Sequence, residues 1–394
     1  MNKKSIPYII GIPNMAIGLL WAMNLVLVPM LVGTITDSNS KLGIMISMGS
    51  FTGIFVQYLA GILSDRSKFK MGKRKPFMLI GGLASAIFMC LMPFSRTYTL
   101  IFLCAFLFYF SLNFFQGPYY SLIPEVVDSS KLGLANGFSK IISVLGSAVV
   151  FIAGPILWKS SHKAPFFLVG ALGLLTVIIT IVLIKEDPDK FELKPSKLSF
   201  DFMKFDSVTK LYFSVFFIFF GYGCITPFFT KYCVEFLKFN ETTASTGLLM
   251  ITLSGAIFAY PIGLIADKIE KRKVLLFGAL LFSLCLLIGA FVRSSLGLYI
   301  VLAAIGIGFI SIQITIYTII AEIVPPLRLG EFMGLLNLFI SLSQFIATNF
   351  MGFLLDKFGF KTYFPIASGT MFIAVIILFF SRFKKYNSSM ETAN

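Results

Sequence analysis

The chain has 394 residues, 57% of them hydrophobic and 13% charged, whereas an ordinary soluble domain carries roughly a quarter charged residues. A soluble globular fold is excluded, because it could not cover that much apolar surface. The formal net charge of +15 would point to nucleic acid in a soluble protein, but here the 33 basic residues gather in alternate loops between long apolar runs, which is a membrane-topology pattern.

Apolar runs between charged or Gly/Pro breaks predict helices near 7–33, 41–63, 76–95, 98–122, 132–157, 164–184, 210–233, 242–264, 273–292, 296–321, 330–355 and 360–382. Each is long enough to cross a hydrocarbon layer of about 30 Å. The expected fold class is therefore all-α integral membrane, with twelve spanning helices. The run after Met1-Asn2-Lys3-Lys4 lacks a small-residue cleavage site and reads as a retained first helix rather than a signal peptide.

Twelve spans place both termini on one side. The loops of that side hold 23 of the 33 basic residues, among them Lys68, Lys70, Lys73, Lys131, Lys268, Arg328, Lys384 and Lys385. The positive-inside rule then predicts a multi-pass protein of the cytoplasmic membrane with cytoplasmic termini. A mixed-charge stretch beginning Lys185-Glu186-Asp187-Pro188 separates the halves, so the expected domains are 1–187, a linker over 188–209, and 210–394.

The halves repeat. A shift of 197 positions superposes Gly81 on Gly278, Arg96 on Arg293, Gln116 on Gln313, Tyr120 on Tyr317, Glu125 on Glu322, Lys131-Leu132-Gly133 on Arg328-Leu329-Gly330, and Gly137 on Gly334. Charge, glycine and aromatic type are kept together, as in carriers built from two parallel repeats about an axis along the membrane normal.

Cys90, Cys104, Cys224, Cys233 and Cys285 are scattered in apolar segments without metal-ligand spacing and read as free thiols, and the single histidine, His162, reads as a loop residue. There is no Ser/His/Asp set, carboxylate pair or phosphate-binding glycine loop. The chain is expected to be neither an enzyme nor an ATP-driven pump, and to need no metal or cofactor.

The loop after the second helix reads Gly61-Ile62-Leu63-Ser64-Asp65-Arg66, then Lys68, Lys70 and Gly72-Lys73-Arg74-Lys75-Pro76; the loop after the eighth echoes it with Gly263, Asp267, Lys268 and Lys271-Arg272-Lys273. Glycine allows helices to approach, and an acid at a helix end can hold a neighbouring helix N-terminus or basic side chain in one conformation and release it in the other. Gly61, Asp65, Arg66, Arg74 and Asp267 are the expected latch, with Lys131 and Arg328 as partners; basic residues that only enforce topology are the plainer alternative.

This loop resembles the signature of the major facilitator superfamily. The longer string Gly53, Val56-Gln57, Gly61, Ser64-Asp65-Arg66 and Gly72-Lys73-Arg74-Lys75-Pro76-Phe77, with Trp21-Ala22 and Gln116-Gly117-Pro118, resembles more narrowly the sucrose/proton symporters and the glycoside–pentoside–hexuronide cation symporters. The resemblance implies two pseudo-symmetric six-helix bundles and alternating access. It also implies a protonatable Asp seven residues before Gln-Gly-Pro, where this chain has Tyr109, and in the sodium-coupled members two acids where it has Gly53 and Gln57.

Polar residues inside spans mark a protein-lined or wet face. Tyr109, Asn113, Gln116 and Tyr120 share one face of the fourth helix, and Asn337, Ser341, Gln344 and Thr348 repeat that spacing on the eleventh. Gln313 and Tyr317 on the tenth helix, Asn14, Trp21 and Asn24 on the first, and Gln57 on the second complete the candidate solute-binding set. Simple helix-to-helix hydrogen bonding is the alternative for any one of them. Amides, hydroxyls and aromatic faces without fixed charge suit a neutral polyhydroxylated solute.

All acids lie in loops, tails or near helix ends, and the intramembrane Lys140 and Lys231 sit near helix ends where long side chains snorkel. The reading is an alternating-access secondary transporter of a small neutral solute, a sugar or glycoside, with proton, sodium or no coupling all open. An exporter of small hydrophobic compounds on the same fold is the alternative, favoured by the abundance of Phe and Met; a membrane enzyme or sensor lacks any catalytic constellation. The expected partners are the solute and the lipid bilayer, not nucleic acid, and a two-half carrier is expected to act as a monomer.

Overall fold

The computed structural model describes residues 5–67, 69–128, 131–186, 203, 205–325 and 328–383. Lys3, Lys4, Lys68, most of the 188–209 linker, Lys384 and Lys385 lie outside the described residues.

Among the described residues there are twelve helices long and apolar enough to cross a membrane: α1 (Ile6–Gly33), α2 (Asn39–Asp65), α3 (Lys75–Phe94), α4 (Tyr98–Val126), α5 (Leu134–Ser160), α6 (Ala164–Leu183), α7 (Asp206–Phe236), α8 (Glu241–Lys268), α9 (Lys271–Gly289), α10 (Ser295–Ile323), α11 (Glu331–Phe358) and α12 (Phe360–Phe380). No strand occurs among them. Large apolar side chains such as Ile80, Val182 and Phe291 remain exposed, the arrangement expected where the solvent is hydrocarbon rather than water.

The sequence repeat is visible in local structure. Thr97 and Ser294, 197 positions apart, are the N-caps of α4 and α10, each accepting a hydrogen bond from the backbone N–H three residues on. Gly81 and Gly278 are equivalent close approaches. A Cβ on Gly81 would lie 2.7 Å from Phe115 N, and one on Gly278 would lie 2.8 Å from Gly308 O, so α3 meets α4 and α9 meets α10 at repeat-related glycines.

The chain divides into two compact units, Met1–Lys194 with Pro227–Leu249, and Pro195–Thr226 with Met250–Asn394. In the first, α1 packs on α5 and α6, α2 on α4, and α3 on α4 and α6; in the second, α7 packs on α11 and α12, and α9 on α10 and α12. Polar anchors hold these contacts: Tyr119 Oη donates to Ile10 O at 2.7 Å in the first unit, and Tyr212 Oη to Phe332 O at 2.7 Å in the second.

Helix α7 is not continuous. It is α-helical from Asp206 to Ile225, tightens to a 3₁₀ turn over Thr226–Phe228 at Pro227, and ends in a π-turn over Tyr232–Phe236. Proline lacks the N–H that the helix ladder needs and crowds the preceding turn. The boundary between the units falls at this break.

Candidate functional site

In the first unit, α1, α2 and α4 carry a chain of uncharged polar side chains. Gln57 Nε2 of α2 donates to Asn113 Oδ1 at 2.7 Å and to Gln116 Oε1 at 2.8 Å, both on α4. Asn113 Nδ2 donates to Gly49 O at 3.1 Å, Thr52 Oγ1 at 2.9 Å and Tyr109 O at 3.0 Å. The Tyr109 hydroxyl donates to Asn24 Oδ1, and Asn14 Nδ2 donates to the Tyr119 hydroxyl. Asn113 and Gln116 are buried, while Gln57 and Trp21 are half-buried.

Glycine explains why Gln57 can reach α4. A Cβ on Gly117 would fall 2.2 Å from the backbone carbonyl oxygen of Gln57, so any larger residue would push the helices apart. The Trp21 ring lies alongside Tyr109, with centroids 6.5 Å apart and planes 27° apart, and Gly49 fits flush against both rings. One donor in the ladder is unused: Gln116 Nε2 is buried with no partner among the described residues. Leaving such a donor unpaired costs about 1–3 kcal/mol.

Of the predicted lining residues, the structure thus joins Trp21, Asn24, Gln57, Tyr109, Asn113 and Gln116 through direct contacts, while Asn14 is tied to Tyr119 instead. Tyr120 is exposed, with its ring 5.4 Å from that of Tyr119. In the second unit Gln313, Ser341 and Gln344 are half-buried, and Tyr317 and Asn337 are exposed. No hydrogen bond among the described residues ties these five to one another. Thr348, on the same face, turns into the α7 contact and donates to Gly223 O at 3.2 Å. The region around α7 and α10 is aromatic instead: the Tyr222 and Phe309 rings stack at 4.6 Å and 6°, with Phe219 and Phe282 each 6.2 Å from Phe309.

The signature loop forms an ionic hub on Arg74, which is 1% exposed. Its guanidinium pairs with Asp65, donates to Glu125 Oε1 through Nη2 at 2.6 Å and through Nε at 3.2 Å, and reaches Ser64 Oγ at 2.6 Å and Gly61 O at 3.1 Å through Nη1. The planar guanidinium presents five donors in a fixed fork, and this arrangement uses it on two carboxylates, a hydroxyl and a carbonyl. Glu186 closes the hub from the backbone side, accepting from Arg74 N at 2.7 Å and Lys75 N at 3.4 Å, the N-terminus of α3. Burial raises the Glu186 pKa above the usual carboxylate value, the two backbone donors pull it down, and the nearby Glu125 charge adds to the rise.

Two expectations about the latch take a different form. Gly61 and Gly263 are not close-approach positions, since a Cβ on either would meet nothing within 4 Å; Gly61 contributes its carbonyl to Arg74 instead. Asp65 has Arg74 as its partner, while Lys131 occupies the N-cap position of the helix Leu132–Ser160 and Arg328 binds Glu331 through two bonds of 2.9 Å. Arg66 and Asp267 are exposed and form no ion pair among the described residues. The repeat copy of the hub includes the pair Lys271–Glu322 at 2.7 Å, with side chains 23% and 33% exposed.

Lys231 does not snorkel. Its side chain is 6% exposed, and Nζ donates to Asp37 O at 2.5 Å and sits 3.6 Å from Glu235 Oε1. Next to it Thr230 Oγ1 donates to Leu25 O at 2.8 Å. The α7 break is the cause, because it turns the segment after Pro227 onto the end of α1.

Thr52, Ser64, Glu125, Tyr119 and Glu186 were not singled out as site residues from the sequence. The repeat did contain a signal for the hub, since the same 197-residue shift that pairs Glu125 with Glu322 also pairs Arg74 with Lys271. Glu186 has no such mark.

The Major Facilitator Superfamily profile matches residues 12–204 and 211–391. The multi-drug resistance efflux pump PmrA of Streptococcus pneumoniae is 28% identical over 285 residues, 68% of this chain and 67% of its own length. The quinolone resistance protein NorA of Staphylococcus aureus is 24% identical over 335 residues, 81% and 82%. An uncharacterised MFS-type transporter of Methanocaldococcus jannaschii is 22% identical over 314 residues, 77% and 76%. Among solved structures, the nucleoside transporter NupG has a TM-score of 0.81 at 15% identity, covering 96% of this chain and 99% of its own. A bacterial homologue of the human lysosomal transporter Spinster, in an inward-facing and occupied conformation, has a TM-score of 0.78 at 13% identity, with 98% of each chain covered. These likenesses establish the fold, and with the profile match across both halves the chain belongs to the Major Facilitator Superfamily.

Proposed function

We propose that this transporter carries a small neutral polar solute, a sugar or glycoside, by alternating access in the cytoplasmic membrane. The supporting observation is the Gln57–Asn113–Gln116 ladder with Asn24, Tyr109 and Trp21 beside it: a polar site without fixed charge, next to a half-buried aromatic ring. Amides supply paired donors and acceptors for hydroxyls, and an indole face suits the apolar side of a pyranose. An anionic or cationic solute would call for a counter-charge that these residues do not offer.

Residues 1–187 and 210–394 are the two bundles that rock in this reading, with both termini cytoplasmic on the strength of the basic loops. The hub of Asp65, Arg74 and Glu125 is the latch of the first bundle, and Lys271–Glu322 its weaker counterpart in the second.

Export of small hydrophobic compounds is the second reading. It is favoured by the likeness to PmrA and NorA and by the Phe219, Tyr222, Phe282 and Phe309 cluster. Counterflow in proteoliposomes separates the two. Exchange of labelled sucrose, melibiose or glucose supports the first; no exchange of any of them, with accumulation of ethidium, replaces it by the second. Running the assay with and without pH and sodium gradients reports coupling in the same experiment.

A further inference from the structure

The orientation of the Gln57 amide follows from the backbone around it. Asn113 Nδ2 lies against the carbonyl oxygens of Gly49 and Tyr109, which only accept, so that atom is the nitrogen and the opposite one is the oxygen. The Gln57 atom facing Asn113 Oδ1 must then be a donor, its own Nε2, and the Gln116 atom facing that same Nε2 must be an acceptor. Both N–H groups of Gln57 are spent on α4. Its carbonyl oxygen accepts no hydrogen bond among the described residues and, unlike Gln116 Nε2, is not a buried orphan.

The ladder therefore ends on an acceptor. Turning the Gln57 amide over would set its oxygen against Asn113 Oδ1, which the backbone holds as an acceptor, and lose that bond, so the side chain is biased to this orientation whichever group arrives. The buried Gln116 donor is the other side of the same arrangement: with its oxygen held on Gln57, its nitrogen has no partner. Gly117 brings α2 close enough for the lock to form.

We propose that Gln57 is a specificity-determining residue of the solute site, selecting solutes that present a hydroxyl or N–H donor to its fixed carbonyl oxygen. The inference rests on the neutral-solute reading and narrows it: a sugar hydroxyl satisfies the acceptor, and an ether or methylated position does not. Asn113 and Gln116 are positioning residues that act through Gln57.

Counterflow of radiolabelled sucrose in proteoliposomes tests this with wild type, Gln57→Leu, Gln57→Glu and Gln116→Leu, each checked for a cooperative thermal transition. Gln57→Leu removes the acceptor at similar volume and is expected to raise the KM about tenfold. Gln57→Glu regains one donor towards α4 only when protonated, so, compared with the wild type at the same pH, its KM should be close near about pH 5.5 and higher by about pH 8. If Gln57→Leu does not fold, the Gln57→Glu pH profile decides alone. Sucrose exchange by wild type with an unchanged KM in Gln57→Leu, or a flat profile in Gln57→Glu, overturns the role of Gln57 and leaves the sugar reading standing. Failure of wild type to exchange sucrose, melibiose or glucose overturns both.

Discussion

Arg74 and Glu125 lie 51 residues apart in sequence, and the guanidinium of the first grips the carboxylate of the second through two donors, the closer at 2.6 Å. The equivalent residues one repeat later, Lys271 and Glu322, pair at 2.7 Å with both side chains partly exposed. Removing one partner of a buried pair strands the other charge, at a cost of about 3–5 kcal/mol, whereas an exposed pair is worth about 1 kcal/mol or less. Arg74→Met should therefore lower the thermal unfolding midpoint in detergent far more than Lys271→Met. Equal shifts would show that the two hubs are equivalent after all.

Glu186 gives the hub a pH dependence of definite sign. A carboxyl whose pKa is raised in the folded chain binds its proton more readily folded than unfolded. Its pH-dependent contribution thus favours the fold below the unfolded pKa and is lost as pH rises through the folded pKa. Gln stands in for the protonated form, so the wild type should gain stability relative to Glu186→Gln as the pH is lowered from neutrality. The comparison is the difference in unfolding midpoint between the two proteins across the pH range. A wild type that instead loses ground in acid would mean that the two backbone donors outweigh burial.

Two glycines of the sugar-symporter-like string should respond oppositely to alanine. At Gly117 the new methyl group meets the Gln57 backbone carbonyl, and overpacking of this kind costs about 1–3 kcal/mol. At Gly61 there is open space, and alanine in a helix is favoured over glycine by up to about 1 kcal/mol. Gly117→Ala should be destabilised and Gly61→Ala neutral or stabilised in the same thermal assay.

The buried Lys231 has a native reporter two residues away. Cys233 is fully buried, as is Cys224 on the other side of the α7 break. Lys231→Met keeps most of the side-chain volume but removes the bond to Asp37 O, so the segment after Pro227 should open locally more often. Labelling with a water-soluble maleimide, resolved by peptide mass spectrometry, should be about tenfold faster at Cys233. Cys224 should label at the wild-type rate; equal acceleration at both would indicate general loosening rather than release of the clamp.

How much of this was legible in the sequence depends on the range of the interaction. The twelve helices were, because a bilayer forces long uncharged runs, and α4 was the clearest helical face: Tyr109, Asn113 and Gln116 come together as the period of 3.6 requires. Tyr120, one turn further on, is exposed instead. Charge and spacing alone do not tell Arg74 from Lys131 as the partner of Asp65; only the folded loop puts the guanidinium within reach. The broken helix was written in Pro227, yet hydropathy ran through it unbroken, and so Lys231 read as a snorkelling end residue. Glu186, the last described residue before the linker, binds backbone amides, which leave no trace in side-chain chemistry.

The partners of Arg74 also bear on the order in which the protein can be made. Asp65, Glu125 and Glu186 all precede the linker, so a nascent chain that has delivered its first six helices to the bilayer already holds every group its buried arginine needs. The end of α1 is in the opposite position: Leu25 O and Asp37 O receive Thr230 and Lys231 only after α7 has been synthesised. The first half can settle its costliest charge during translation, while its closing contacts wait for a segment encoded some two hundred residues downstream.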